Sequence, residues 1–377
     1  MFAGIGGFRL GLRDLDGMEF VWANDIDDLA CAVYESNFGA GSVICADIRN
    51  IEATIPDHDI LSAGFPCQPF SQAGKKLGTN DLRGTLFESI ARVLRNHRPR
   101  FFVLENVKRL LSMDGGIHFK TILSELCRDG YWVEWRLLNT KNFGLAQNRE
   151  RVIIVGVADV ENVPLLQALE RNSVLLTDAD VPELSLGDSY RISDALAPIE
   201  CFAGRFHKWG VAYEGRFLTQ DLPEMAPQRP SVLLRQVLEQ HVDASFDLTE
   251  KTLGWLHKNT PVNQFIHGVE ILSNQEGGRR MGYTIFGDRG IAPTVTSTTS
   301  RHYERYYIDG RYRRLTNIEY ARLQVFSDDW CRVAKIYDQY ALFGNAIPPN
   351  LVSWVSARLT GNNLRQNELA ATTLFQL

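Results

Sequence analysis

DILSAGFPCQPFS, at residues 59–71, constrains the architecture more than any other stretch of the chain. Its first five residues form an apolar run that predicts a β-strand, and Cys67 follows between Pro66 and Pro69. Proline fixes φ and restricts the residue before it, so the two prolines hold the thiol in a narrow range of directions beyond the strand. A thiol held there suits nucleophilic catalysis, although most single cysteines of intracellular proteins act as small buried hydrophobes.

Strand-like and helix-like segments alternate on both sides of this stretch, through residues 1–160. The predicted strands are 20–25, 42–47, 59–63, 101–105 and 152–155, and the predicted helices are 29–37, 85–96 and 119–127. This spacing predicts an α/β fold with a doubly wound, mostly parallel sheet covered by helices on both faces. Ligands of such folds bind beyond the carboxyl ends of the strands, which is where Asp25, Asp47, Cys67 and Glu105 fall.

The pattern changes after Asp159. Residues 160–310 carry many prolines, glycines and isolated aromatics with little helical periodicity, which predicts a second, smaller and irregular domain. Helical pattern returns at 317–324 and 349–359. We therefore divide the chain into a first domain at 1–185, a second at 186–325 and a return to the first at 326–377.

Composition narrows the class of protein. The 377 residues carry a net charge of −5 and 45% hydrophobic residues, which is ordinary for a packed globular protein. None of the six cysteines forms a CxxC pair or a zinc-spaced cluster, so we expect no metal. The sequence has no signal peptide and no long apolar run, which predicts a cytoplasmic setting with Cys67 as a free thiol.

One stretch departs from the acidic average. Eight arginines lie in the stretch from Arg279 to Arg314 against three acidic residues, and Tyr303, Tyr306, Tyr307 and Tyr312 are interleaved with them. Such a stretch suggests a local anion-binding face, and nucleic acid is the obvious ligand. A solvated surface explains the charge pattern equally well.

The N-terminal FAGIGGF, residues 2–8, is a glycine-rich loop that leads into a helical run. It is not the dinucleotide fingerprint, because GxGxxG from Gly4 would need glycine where Arg9 stands. Asp25 follows at a distance suited to ribose hydroxyls. Loop and acid together indicate a nucleoside-containing cofactor without a pyrophosphate, whereas a plain tight turn is the alternative.

Seven blocks in a fixed order resemble those of the DNA (cytosine-5)-methyltransferases of the bacterial restriction–modification type, over nearly the whole chain. They are FAGIGG at 2–7, GFPCQPFS at 64–71, RGTLF at 83–87, ENV at 105–107, QNRERV at 147–152, RxLTxxExARLQ from Arg311 or Arg314 to Gln324, and GNAIPP at 344–349. The chain departs from the family at its start, where Met1 directly precedes Phe2 and members have a few apolar strand residues. We therefore expect either translation from further upstream or a truncated chain.

The resemblance implies the chemistry of the site. Cys67 would attack C6 of a flipped-out cytosine and so activate C5 for methylation. Glu105 would hold the N3 and N4 edge, Arg151 would bind O2, and Arg149 would support the active-site loops. The methyl donor would be S-adenosylmethionine. Its implied contacts are Phe2, Ala3, Gly4, Ile5, Gly6, Gly7, Asp25, Ile26, Asp47, Ile48, Pro66, Asn345 and Ala346. Many members carry a large aromatic where Ile26 stands.

The resemblance also implies the partners. Double-stranded DNA would be held between the catalytic domain and the second domain, which becomes a target-recognition domain. The implied DNA contacts are Gln68, Ser71, Lys75, Arg83, Thr294, Arg301 and Arg305. We expect a monomer in the bacterial cytoplasm, associated with the nucleoid when bound to DNA and not with membranes. A cognate restriction endonuclease that acts on the same site is a possible partner.

Two other functions compete with this interpretation. A tRNA cytosine-5 methyltransferase shares the fold, but that branch tends to have Pro-Pro-Cys where this chain has Phe65-Pro66-Cys67. A catalytically impaired DNA-binding homologue is the other, and the presence of Cys67, Glu105, Arg149 and Arg151 argues against it. A nicotinamide oxidoreductase fits poorly, since the loop lacks the fingerprint.

Overall fold

The computed structural model describes residues 1–13, 15–66, 86–158, 169, 171–180, 197–199, 204–256, 258–275, 283–297 and 304–361. Within these ranges the chain forms three sheets and the helices packed on them. None of the described helices is both long and apolar enough to cross a membrane.

The smallest sheet lies near the N-terminus. Strands β1 (Asn24–Asp25) and β2 (Ile44–Cys45) pair in parallel, and helix α2 (Asp28–Phe38) connects them. The helix begins where sequence chemistry predicts, because the Asp27 carboxylate accepts the backbone N–H groups of Leu29 and Ala30 at 2.9 and 3.0 Å. Helix α1 (Gly7–Leu12) precedes this sheet, and the short helix α3 (Ile48–Ile51) follows it.

The largest sheet has seven strands in the order β3-β4-β6-β5-β8-β9-β7. Their bounds are Ile60–Gly64 for β3, Phe101–Val107 for β4, Trp132–Asn139 for β5, Glu150–Val157 for β6, Ala197–Pro198 for β7, Trp209–Tyr213 for β8 and Arg216–Gln220 for β9. The three strands predicted here from the sequence, 59–63, 101–105 and 152–155, are confirmed, and β5, β7, β8 and β9 are additional strands.

Strand direction corrects one expectation. The α/β class is confirmed, but parallel pairing is the minority among the described strands: β1–β2, β3–β4 and a short pair in the C-terminal part, Ile285–Phe286 with Arg305–Ile308, are parallel, and every other pairing of the seven-stranded sheet is antiparallel. The connections explain the difference. A helix lies between the two strands of β1–β2 and of β3–β4, whereas only residues 140–149 separate β5 from β6, and so short a connection reverses the chain.

Helices cover both faces of the β4–β6 region. Phe102 and Leu104 of β4 pack with α4 (Leu86–His97) and α5 (Ile117–Arg128), in one core cluster. Val103, which points to the opposite face, packs with α1 and with α9 (Pro349–Thr360) in another. This double coverage explains the continuous apolar runs of these strands.

The first residues of the chain connect the two sheets. The Met1 amino group donates to the Ser62 carbonyl at 2.8 Å, and the Ala3 N–H donates to the Asn24 carbonyl at 2.8 Å. The glycine-rich loop is therefore fixed between β1 and β3 at the edge where ligands bind in this architecture.

The irregular part of the chain contains a five-stranded sheet in the order β10-β11-β12-β13-β14. Its strands are Thr260–Ile266, Val269–Asn274, Ile285–Phe286, Arg305–Ile308 and Arg311–Arg313, and helix α6 (Glu250–Leu256) precedes them. Strands β7, β8 and β9, by contrast, belong to the large sheet, where β8 pairs with β5. The domain limits 1–185, 186–325 and 326–377 stay a prediction.

Helices α7 (Asn317–Leu323) and α8 (Ile336–Asn345) follow this sheet. Thr316 and Glu319 form a capping box at the start of α7, and the Glu319 carboxylate also receives both terminal nitrogens of Arg313 at 2.7 and 2.8 Å. Arg313 is thus the arginine that contacts the glutamate of the RxLTxxExARLQ block, whereas the sequence pattern places the first arginine of that block at Arg311 or Arg314.

The last described helix, α9, lies directly on α1. A Cβ atom at Gly11 would lie 2.5 Å from the carbonyl oxygen of Pro349, so only glycine permits this approach. The Ser353 hydroxyl donates to the Gly11 carbonyl at 2.7 Å. The C-terminal GNAIPP block is therefore adjacent to the N-terminal glycine loop.

Candidate active site

The centre of the site is formed where β3 and β4 end side by side. Gly64 is the parallel partner of Glu105, and a Cβ atom at Gly64 would lie 3.4 Å from Glu105 Oε2. The glycine leaves the carboxylate room next to the backbone that continues through Phe65 and the exposed Pro66 towards Cys67. Cys67 itself lies outside the described residues.

Glu105 is paired with Arg151 of the neighbouring strand β6. Arg151 Nε lies 2.8 Å from Glu105 Oε1, and the two side chains are 12% and 13% exposed. Burial lowers the pKa of Arg151, and the adjacent Glu105 carboxylate opposes that shift. The contact orients both side chains. Removing either partner would leave the other as a buried, uncompensated charge, so the pair is costly to break.

Asn106 holds the strand end that leads to Cys67. Its buried side-chain amide donates from Nδ2 to the Phe65 carbonyl at 2.9 Å. The sequence comparison included Asn106 in the ENV block but gave it no role. Its contact partner is 41 residues away, which no local pattern reveals.

Arg149 is buried beneath the site at 1% exposure. It donates to three backbone carbonyls, those of Val295 at 2.9 Å, Gly344 at 2.8 Å and Ala346 at 3.1 Å. Burial, with a smaller contribution from Arg151, lowers its pKa to about 9. These contacts agree with a supporting role, since the guanidinium is bonded to protein backbone on both terminal nitrogens.

The glycine-rich loop and Asp25 form a second cluster. Gly4 and Gly6 adopt left-handed φ values of 53° and 92°, and a Cβ atom at Gly4 would meet nothing within 4 Å. The Gly4 N–H donates to Asp25 Oδ2 at 2.7 Å, and Asp25 Oδ1 accepts the Ile26 N–H at 2.8 Å. Asp25 therefore organises an open glycine turn at the end of β1.

Apolar side chains border this turn. Ile26 is 66% exposed, an unusual state for an isoleucine, while Phe2 is half-buried and Ile48 is buried. Asp47 caps α3 by accepting the Arg49 N–H and forms an ion pair with the Arg49 side chain. The exposed Ile26, the open turn at Gly4 and the carboxylates of Asp25 and Asp47 together offer apolar contact and hydrogen-bond acceptors, which are the features that an adenosine moiety requires.

The remaining cofactor and DNA residues have different surroundings. Asn345 is exposed at the end of α8, and the buried Ala346 follows it. Thr294 Oγ1 donates to the Asn148 carbonyl at 2.6 Å, and Arg305 is buried in β13. Ala3, Gly7 and Ile5 lie on the same N-terminal loop and helix start. Gln68, Ser71, Lys75, Arg83 and Arg301 lie outside the described residues.

Four described arginines of the 279–314 stretch contact protein groups. Arg289 is paired with Glu270, Arg311 with Asp247 and Arg313 with Glu319. Arg314 lies over the rings of Phe246 and Tyr337. Arg289 and Arg311 remain 63% and 38% exposed at the side chain, so their pairing does not remove them from the surface.

This fold and site combine an α/β architecture with an open glycine turn and a buried carboxylate–arginine pair. Among solved structures, the S. pombe Dnmt2 methyltransferase superimposes with a TM-score of 0.61 at 18% identity, covering 96% of this chain and 97% of that one. The two proteins share this fold.

Sequence comparison identifies the family. Residues 1–360 match the family described as C-5 cytosine-specific DNA methylase. The chain is 34% identical over 358 residues to the type II methyltransferase M1.ScrFI of Lactococcus lactis subsp. cremoris, covering 92% of this chain and 73% of that protein. It is 30% identical over 418 residues to the type II methyltransferase M.BanI of Aneurinibacillus aneurinilyticus, covering 97% and 96%. The chain belongs to the C-5 cytosine-specific DNA methylases and is a DNA cytosine-5 methyltransferase.

Proposed function

We propose that this enzyme transfers a methyl group from S-adenosylmethionine to C5 of a cytosine flipped out of double-stranded DNA, through a covalent bond between Cys67 and C6. The Glu105–Arg151 pair beside the end of β3 carries the proposal. It places a carboxylate and a guanidinium, the two groups needed along the polar edge of cytosine, next to the strand that leads to the thiol.

The residues act in sequence on the base. The Cys67 thiolate adds to C6, and the electron pair of the C5–C6 double bond moves to make C5 nucleophilic. Glu105 holds the N3 and N4 edge and delivers a proton to N3 as negative charge develops there, while Arg151 donates to O2. Transfer of the methyl group to C5 releases S-adenosylhomocysteine. A base then removes the C5 proton, N3 returns its proton to Glu105, and the Cys67 thiolate is eliminated. Arg151 keeps Glu105 in place through their 2.8 Å contact.

The cofactor would lie on the N-terminal cluster. Asp25 would receive the ribose hydroxyls, Ile26 and Phe2 would cover the adenine, and Asp47 would reach its amine. The open space at Gly4 and the exposed Ile26 support this placement. When bound, the cofactor supplies an electrophilic methyl group carried on a sulfonium.

The DNA would lie between the catalytic edge and the five-stranded sheet. A base inside a duplex cannot expose C6 to a thiol, so the cytosine must leave the stack at a cost of a few kcal/mol. Thr294 would lie near the flipped nucleotide, and Gln68, Ser71, Lys75 and Arg83 would close on the DNA from the other side. Arg301, Arg305 and the exposed arginines of the 279–314 stretch would contact phosphates and bases.

We further infer that the enzyme is the modification component of a restriction–modification system. Its similarity to two type II methyltransferases supports this role. It would act as a monomer in the bacterial cytoplasm, and a cognate endonuclease would cut the same site when it is unmethylated.

Two experiments test the function. Bisulfite sequencing of a plasmid from cells that express this chain should show 5-methylcytosine at one recurring sequence, and no methylation at any site would refute the proposal. Purified protein should then form a covalent adduct with a duplex carrying 5-fluorocytosine at that site when the cofactor is present. The Cys67→Ser variant is the control that should form none, and methyl transfer to tRNA but not to the duplex would favour the tRNA methyltransferase.

A further inference from the structure

Two buried glutamines meet behind the active site. Gln147 precedes β6, Gln324 ends α7, and both are 0% exposed. Gln147 Nε2 donates to Gln324 Oε1 at 3.0 Å and to the Leu323 carbonyl at 3.3 Å. A side-chain amide buried this completely is costly unless its groups are bonded, so the pair needs a reason in the fold or in the function.

One side of the pair holds the segment that contains Thr294 and Val295. Gln147 Oε1 accepts the Val295 N–H at 3.0 Å, and Arg149 donates to the Val295 carbonyl at 2.9 Å. Thr294 donates to the Asn148 carbonyl at 2.6 Å. Residues 147–149 thus fix both backbone groups of Val295 and the hydroxyl of the residue before it.

The other side holds the end of α8. Gln324 Nε2 donates to the carbonyls of Phe343 and Ala346 at 2.6 and 3.1 Å. Arg149 reaches the same turn through the carbonyls of Gly344 and Ala346. The turn carries Asn345 and Ala346, which the proposed function assigns to the cofactor.

These bonds join a DNA-side segment to a cofactor-side segment through one rigid unit. Their connection runs Val295–Gln147–Gln324–Ala346, with Arg149 as a parallel link. Every member is buried, so solvent cannot substitute for a lost bond, and a shift at one end displaces the partners at the other.

We propose that Gln147 and Gln324 are positioning residues that couple cofactor binding to DNA binding. A bound cofactor restricts the motion of the turn at 344–346. The hydrogen-bonded amide pair then restricts the motion of Thr294 and Val295, beside the flipped nucleotide, in the same way. The inference rests on the proposed function, since it needs both ligands. Neither glutamine contacts substrate in this arrangement.

The chain offers a matched control. Gln339 of α8 is also a buried glutamine, and its amide donates to the Ala334 carbonyl at 2.9 Å and accepts from Asn317 at 2.8 Å. Its bonds stay within the helical region and reach neither Val295 nor the 344–346 turn. Methionine substitution at 147, 324 or 339 keeps the side-chain length and removes the amide.

The coupling is measured as a ratio of DNA affinities. A fluorescent duplex carrying the mapped site is titrated with full-length protein, with and without saturating S-adenosylhomocysteine, which binds without reacting. Coupling free energies between sites correspond to about 5- to 150-fold in affinity. Wild type should show a ratio in this range, and Gln147→Met and Gln324→Met should each lower it about threefold or more, since Arg149 keeps its own bonds to Val295 and Ala346. The affinity of the cofactor-free variants for DNA should change less than about threefold, and Gln339→Met should retain the wild-type ratio.

Three outcomes would overturn the inference. They are a wild-type ratio near 1, a wild-type ratio retained by a folded Gln324→Met protein, and an equal loss of the ratio in Gln339→Met. If Gln324→Met does not fold, Gln147→Met carries the test, because it leaves both Gln324 donors bonded. If neither folds, the pair is a folding element and the coupling role is rejected. Wild-type protein that binds neither ligand contradicts the proposed function instead.

Discussion

Replacement of Glu304 by glutamine should remove a pH dependence of stability that comes from burial of this carboxyl group. Glu304 is 1% exposed at the start of β13, and burial raises its pKa to about 7, although a hydrogen bond from the Tyr320 hydroxyl opposes the shift. Its second oxygen, Oε1, has no hydrogen-bond partner among the described residues, so the ionised form is poorly compensated there.

The sign and size of the pH effect on the free energy of unfolding follow from proton linkage. An acid with a higher pKa in the folded chain keeps its proton there while the unfolded chain loses it, so stability falls as pH rises between the two values. The ordinary pKa of Glu is 4.5 and the folded value is about 7. At about 1.36 kcal/mol for each pH unit, the group should cost the fold about 3 kcal/mol above pH 7 and nothing below pH 4.5.

Urea unfolding of wild type and Glu304→Gln at pH 5, 6, 7 and 8 measures this cost. The glutamine can still accept the Tyr320 hydrogen bond, so the variant should be the more stable protein at pH 8 and should approach wild type at pH 5. Glu270→Gln is the control of opposite sign. Burial of Glu270 is outweighed by hydrogen bonds from Arg289 that lower its pKa, so its loss should destabilise the fold above pH 4.5. Parallel pH profiles for wild type and Glu304→Gln would refute the reasoning.

Four substitutions test the active site. Cys67→Ala should bind duplex DNA like wild type and lose turnover, and tritium transfer by that variant would exclude the thiol mechanism. Glu105→Gln should lower the single-turnover rate about 100-fold or more with near-normal cofactor affinity, whereas an unchanged rate contradicts its role. Asn106→Ala frees the Phe65 carbonyl, so the same rate should fall about tenfold or more while DNA affinity is kept, and full activity would show that the strand end is fixed otherwise. Ile26→Ser should raise the Kd for S-adenosylhomocysteine about 5- to 10-fold in calorimetry at unchanged melting temperature, and an equal Kd would move the adenine elsewhere.

Periodicity predicted most of the first 160 residues, because their strands are buried on both faces and their helices are amphipathic. It missed β5, whose Glu134 and Arg136 interrupt the apolar run. The structure explains why these charges are tolerated. Glu134 accepts from Trp209 Nε1 at 2.8 Å, and Arg136 is paired with Asp180 at 2.7 and 2.8 Å. Both partners are distant in sequence, so no local pattern could supply them.

The candidate site divides in the same way. Glu105, Arg149 and Arg151 were predicted as site residues because they lie in the family blocks, and the structure places Arg151 in contact with Glu105 and buries Arg149. Asn106, Gln147 and Gln324 contact backbone groups from other segments, and a block comparison records their presence without their partners. Strand direction was mispredicted for a related reason, since periodicity reports burial and only the connections decide parallel or antiparallel pairing.

The QNRER stretch shows how catalysis and assembly share one short segment. Gln147 and Arg149 bond backbone groups of Val295, whereas Arg151, two residues on, holds Glu105. All three side chains are held by other segments, so a backbone shift in this stretch that preserves the Val295 contacts would disturb the contact with Glu105, and the reverse. Loss of activity in a variant of this stretch therefore has two separable origins, a misplaced carboxylate or a loosened junction. The first should lower the rate of C6 addition at full DNA occupancy, and the second should lower the gain in DNA affinity that the cofactor brings.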